Sequence, residues 1–187
     1  MHRPAAASDP APTGPVRRLR LLRPRPAPDA VPRPRLLERL RRGLDGALVL
    51  LSAPAGAGKT TLLSQWLAAA AEAPGPRSPA AAWLSLDERV GDAPGFAAHL
   101  VAALRTAAPG VLGLLRLARR APPAVLGETL ADDLLDLPRD VVLVLDDYQA
   151  LRGRGVHRLL GALLEHPPPR LHLVPVSYTH LTLPTKA

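Results

Sequence analysis

Apolar and polar positions alternate in two distinct rhythms along this chain. Four short runs are apolar almost throughout: 47–51 (Ala47-Leu48-Val49-Leu50-Leu51), Ala81–Leu86, Val141–Leu145, and Leu171 to about Val176. Between them the apolar residues fall three and four apart. Leu36, Leu37, Leu40 and Leu44 make one such stripe, and Leu62, Leu63, Trp66, Leu67 and Ala70 a second. Phe96, Leu100, Val101 and Leu104 make a third, and Val156, Leu159, Leu160, Leu163 and Leu164 a fourth. The first rhythm predicts strands buried on both faces and the second predicts amphipathic helices. A further helical region is expected over about 111–137, interrupted by Pro122-Pro123, and Pro74-Gly75-Pro76 should stop the helix that begins at Lys59. Strands alternating with helices imply an α/β fold with a parallel sheet covered on both sides.

Composition changes this picture mainly at the N-terminus. Nine prolines fall within residues 1–34, and residues 1–46 hold eleven arginines against Asp9, Asp29, Glu38 and Asp45, a net of +7 out of +8 for the whole chain. Residues 1–30 are too poor in large apolar groups to fold alone, so they read as a disordered Pro/Arg-rich linker. A basic arm can also attract nucleic acid, but this one carries no aromatic residue to stack on bases. The chain has no cysteine, which excludes disulfides and thiolate metal sites, and its six histidines show no close pairing at metal-ligand spacing. No uninterrupted apolar stretch reaches the roughly 18 residues of a membrane span. There is no signal-like apolar region at the start, so the expected location is cytoplasmic, with no membrane partner.

One lysine carries the chemistry. Only Lys59 and Lys186 interrupt a positive charge otherwise written as 22 arginines. Lys59 lies in Ala53-Pro54-Ala55-Gly56-Ala57-Gly58-Lys59-Thr60, directly between the first strand and a helix. Strand, glycine-containing turn and Lys-Thr opening a helix is the P-loop pattern, and ATP or GTP is the implied ligand. Phosphate needs several donors converging without side-chain obstruction. Gly56 and Gly58 let the backbone curl so that N–H groups face inward, and the helix that follows adds its positive end. Ala55, Gly56, Ala57, Gly58, Lys59, Thr60 and Thr61 are the expected phosphate contacts, with Lys59 reaching the β- and γ-phosphates and the Thr60 hydroxyl ligating Mg²⁺. A tight strand–helix turn that merely contains glycine is the plainer alternative.

Asp146 and Asp147 supply the second half. They follow Val141–Leu145 at the end of a strand, where open parallel sheets bind ligands. Asp146 would hold Mg²⁺ and Asp147 would orient or deprotonate an attacking water. Asp87 and Glu88 end the second strand and read as loop acids that could also face the metal; Trp66 and Trp83 read as core residues. Tyr148 could pack beside the site or cover the strand end, and Gln149 could sense the γ-phosphate.

Four segments in this order resemble a family: Val31-Pro32-Arg33-Pro34-Arg35-Leu36-Leu37, Ser52 to Leu62, Ala82-Trp83-Leu84-Ser85-Leu86-Asp87, and Val144-Leu145-Asp146-Asp147-Tyr148. Together they look like the N-terminal ATPase module of the large MalT-like LuxR-type transcriptional regulators, within the STAND class of signalling NTPases. The resemblance covers about residues 20–175. It implies an AAA/STAND-like P-loop NTPase domain over 31–176, a three-layer sandwich whose fourth strand lies between the P-loop strand and the Asp146 strand. It also implies ATP with Mg²⁺ as cofactors, the Val31–Arg35 stretch near the adenine with Arg33 the contact, and a nucleotide-dependent switch with slow or no hydrolysis. DNA would be bound only through a C-terminal helix-turn-helix that this chain lacks, and an inducer and self-association would belong to the full-length protein. Gln149 departs from the family, which often has histidine there.

Residues 177–187 abandon the Ala/Arg/Pro composition, and Val176-Ser177-Tyr178-Thr179-His180-Leu181-Thr182-Leu183-Pro184-Thr185 resembles a translated library-adapter sequence. The expectation is a non-native tail after about 176, with the sheet left incomplete on its C-terminal side and strand 47–51 exposed as an apolar edge. Two other functions fit the sequence less fully: a catalytic AAA+ ATPase doing mechanical or DNA-loading work, and an arginine-rich interaction module without nucleotide.

Overall fold

The computed structural model describes residues 16–26, 28–72, 78–88, 90, 92–110 and 121–178. Four strands, β1 (Leu51–Ser52), β2 (Ala80–Ser85), β3 (Val141–Asp146) and β4 (Leu171–Ser177), form one parallel sheet in the order β1-β4-β3-β2. The strand between β1 and β3 is therefore β4, as the resemblance implies.

The expected strand 47–51 is only partly laddered. Leu48 bridges Leu173, while Leu51 pairs with Val176 and Ser52 with Ser177. These pairings share one register, so 47–52 runs along β4 as a single extended segment with an interrupted ladder. Among the described residues it forms one edge of the sheet, and Leu48 and Leu50 are exposed along it. β4 runs one residue beyond Val176 because the Ser177 backbone pairs with Ser52 and accepts from the Ala53 N–H, which depends little on the side chain.

Period two along the strands sorts their side chains between two cores. Ala82, Leu84, Val141, Leu143, Leu145, Leu171 and Leu173 face one core, and Trp83, Val142, Val144, Val174 and Val176 face the other. The first is covered by α3 (Ala93–Ala107), α4 (Pro123–Asp133) and α5 (Arg154–Glu165), the second by α1 (Pro34–Gly43) and α2 (Lys59–Glu72). The result is three layers, as expected. α3 starts where Asp92 caps it, its carboxylate accepting from the Gly95 N–H at 2.8 Å, with Pro94 in the first turn. α4 and α5 approach so closely that a Cβ on Gly127 would lie 2.3 Å from the Leu159 carbonyl oxygen. The part of the expected 111–137 helix that precedes Ala121, and the stop at Pro74-Gly75-Pro76, lie outside the described residues.

Within the expected linker, residues 16–22 take a definite course. Arg18–Leu21 form a 3-10 turn beside β2, Leu21 packs on the larger core and Arg20 makes an ion pair with Asp87. A single leucine and one paired arginine give this segment its anchor, which average composition does not register. No described helix is long and apolar enough to cross a membrane.

Candidate functional site

The C-terminal ends of the strands carry the site. β1 leads into the loop 53–58, and α2 opens at Lys59. Gly56 and Gly58 both have φ of +77°, a left-handed conformation that costs glycine nothing and strains a residue with a Cβ. This is where the two glycines of the motif are needed. The first N–H groups of α2 lack acceptors within their own helix, so the loop and helix start present backbone donors of the kind an anion could accept from.

Lys59 turns back over the loop, its Nζ donating to the carbonyls of Ala53 at 2.7 Å and Pro54 at 2.9 Å. The contacts tether the ammonium to the loop rim by neutral acceptors, which an anion can displace. Thr60 Oγ1 donates to the Asp146 carboxylate, 3.2 Å and 3.4 Å from its two oxygens, although 86 residues separate them. The sheet explains the meeting: β3 is close to β1, separated from it only by β4, and Asp146 shares the parity of Val142 and Val144, which face α2.

Asp146 is buried, with 7% of its surface exposed. Burial pushes its carboxyl above the usual carboxylate range, and the neighbouring Asp147 charge adds to this. The Thr60 hydroxyl, the Asp147 N–H and the Lys59 ammonium act in the opposite sense but do not cancel it. A buried carboxylate that is costly to ionise, facing a hydroxyl, is an oxygen pair that a hard cation would relieve. Among the described residues no group of three His, Asp or Glu forms a metal cage, so Mg²⁺ would have to arrive with phosphate oxygens and water completing its shell. The donor set fits that ion.

Asp147 takes a left-handed backbone conformation, φ 57°, and is exposed. Its N–H donates to Asp146 Oδ1 at 3.2 Å and its carboxylate accepts from Gln149 Nε2 at 3.0 Å. Gln149 thus contacts Asp147. Tyr148 packs in the larger core, against the edge of His157 at 6.2 Å between ring centroids, and burial pushes its hydroxyl up to about 12. It anchors the strand end from the opposite side of the sheet. Asp87 pairs with Arg20, Glu88 is exposed, and Trp66 and Trp83 are buried in the smaller core.

Arg33 lies over the loop. Its Nη1 donates to the Ala57 carbonyl at 2.8 Å, and the guanidinium sits 3.5 Å from where a Gly58 Cβ would be. Beside it opens a cleft of about 280 Å³, walled by Asp29, Ala30, Val31 and Arg33 on one side and by Gly58, Thr61, Leu62 and Gln65 on the other. The cleft joins the segment that the resemblance placed near adenine to the start of α2. Sequence reasoning missed Gln65 and Asp29, because nothing in the spacing of the motif points to residues beyond Thr61 or before Val31.

The parallel sheet and the loop between β1 and α2 are consistent with a P-loop NTPase fold. A solved structure of Drosophila ORC bound to DNA superposes with a TM-score of 0.50 over 96% of this chain and 47% of that one, at 17% identity, which supports the fold alone. No protein-family profile matches the chain. Its sequence relatives include HTH-type transcriptional regulators named MalT: 35% identity over 162 residues to that of Cronobacter sakazakii, and 33% over 164 residues to that of Serratia proteamaculans. The matches take in 84% and 86% of this chain, and 17% of each regulator's length. The resemblance read from four motifs is thereby shown at the level of whole-segment similarity.

Proposed function

We propose that this chain is the ATP-binding module of a multidomain transcriptional regulator, acting as a nucleotide-dependent switch that hydrolyses ATP slowly or not at all. The observation that carries the reading is the Thr60–Asp146 contact across the sheet, beside a lysine whose ammonium donates to two loop carbonyls. Phosphates would sit on the 55–61 backbone with Lys59 and Thr60. Arg33 and the adjoining cleft would take the base and ribose. When bound, Mg²⁺ would offset phosphate charge from a position served by Thr60 and Asp146. DNA contact, inducer recognition and self-association belong to parts of a longer protein.

Slow turnover follows from how Asp147 is held. Its carboxylate is exposed to bulk water and occupied by Gln149, a poor arrangement for fixing one attacking water molecule. Steady-state ATPase assays of the purified chain should therefore give rates below about 0.01 s⁻¹, some thousandfold under the roughly 10 s⁻¹ median of enzymes. Turnover near that median, lost in Lys59→Ala, would replace the switch with a working AAA+ motor.

A further inference from the structure

Gln65 lies on α2 nearly two turns beyond Lys59, on the wall of the cleft. Its Nε2 donates to the Ala30 carbonyl at 3.0 Å, joining residues 35 positions apart. The Ala30–Arg33 segment has no strand or helix of its own to fix it. At one end Arg33 caps α1, its carbonyl accepting from the Leu36 and Leu37 N–H groups, and its side chain donates to the Ala57 carbonyl; at the other end Gln65 donates to the Ala30 carbonyl. Between these two points the segment spans the cleft as its outer wall.

We propose that Gln65 is a positioning residue for the nucleoside half of the ligand: it sets the depth and width of the base cleft by fixing Ala30, and takes no part in holding phosphate. The proposal rests on the reading of this site as an ATP site, and adds the residue that shapes it. The chemistry is specific. Only an amide of this length gives a donor to the carbonyl while keeping an uncharged wall towards the base. Glutamate has the same shape but, ionised, offers no hydrogen to Ala30 and sets a negative oxygen against the carbonyl. Methionine fills the volume without donating.

Binding of Mg-ATP and of inorganic tripolyphosphate is measured by calorimetry for the whole chain, for Gln65→Glu and for Gln65→Met. Losing one neutral hydrogen bond that orders a wall predicts ATP affinity lowered by about three- to tenfold in both variants. Tripolyphosphate affinity should stay within about twofold, because the loop, Lys59 and Thr60 are untouched. A merely structural glutamine would weaken both ligands together or neither, and either result overturns the proposal. Two substitutions of different character guard against one that fails to fold, and far-UV circular dichroism identifies it. If the wild-type chain binds neither ligand, the ATP reading falls and takes this inference with it; if it binds both and the Gln65 variants match it, only the inference falls.

Discussion

Lys59→Ala is expected to lower ATP affinity by about 10- to 100-fold while barely moving the thermal midpoint. The magnitude follows from the bonds involved: hydrogen bonds to a charged group contribute about 1.5–3 kcal/mol each, and phosphate is the acceptor that gains most from an ammonium. The lysine's present partners are the Ala53 and Pro54 carbonyls on a half-exposed loop. Water can satisfy those carbonyls when the ammonium is gone, so the fold loses little. Fluorescence-anisotropy titration with labelled ATP reads the first effect and thermal unfolding the second. Unchanged affinity would remove Lys59 from the site; a collapse of the fold would make it a structural clamp.

Asp146→Asn should separate stability from ligand binding by moving them in opposite directions. Burial raises the Asp146 pKa in the folded chain above its unfolded value. The folded state therefore holds the proton more tightly, and that stabilisation is complete below the unfolded pKa and lost as pH rises through the folded one. At neutral pH burial of this carboxyl thus costs the ligand-free chain stability. Asparagine keeps the shape and still accepts from Thr60, so the ligand-free variant should melt higher at pH 7, by about 2–4 °C if the gain is on the order of 1 kcal/mol. The gain should shrink as pH falls towards the acid range, where the wild-type carboxyl takes up its proton. The same change removes an anionic oxygen from the Mg²⁺ position, so the rise in ATP affinity caused by Mg²⁺ should largely disappear. A variant that melts lower than wild type at pH 7 and still responds fully to Mg²⁺ would contradict the role given to Asp146.

The strands and their covering helices were legible because burial writes a period into the chain. Val141–Leu145 reads as a two-faced strand whose parity groups Asp146 with Val142 and Val144, while only the structure shows that α2 covers that face. Gly56 and Gly58 were legible because the loop needs φ of +77° at both. What the sequence could not show were contacts made by long polar side chains across large separations. Gln65 to Ala30 spans 35 residues and Arg20 to Asp87 spans 67, and neither alters an apolar period. The broken ladder of β1 is of the same kind. Ala47-Leu48-Val49-Leu50-Leu51 is as apolar as any strand here, yet among the described residues it is an edge that pairs with β4 alone and leaves Leu48 and Leu50 exposed. Tyr148 could have faced either way from sequence; the left-handed turn at Asp147 puts it into the core.

In the proposed function, loop 53–58, Lys59, Thr60 and Asp146 together make a Mg-nucleotide site. Equilibrium dialysis of the purified chain against radiolabelled ATP, with Mg²⁺ and with EDTA, tests it directly. Saturable binding of one ATP per chain, weakened when Mg²⁺ is chelated, is the expected result. Absence of saturable binding, or binding with the same affinity in EDTA, would contradict it.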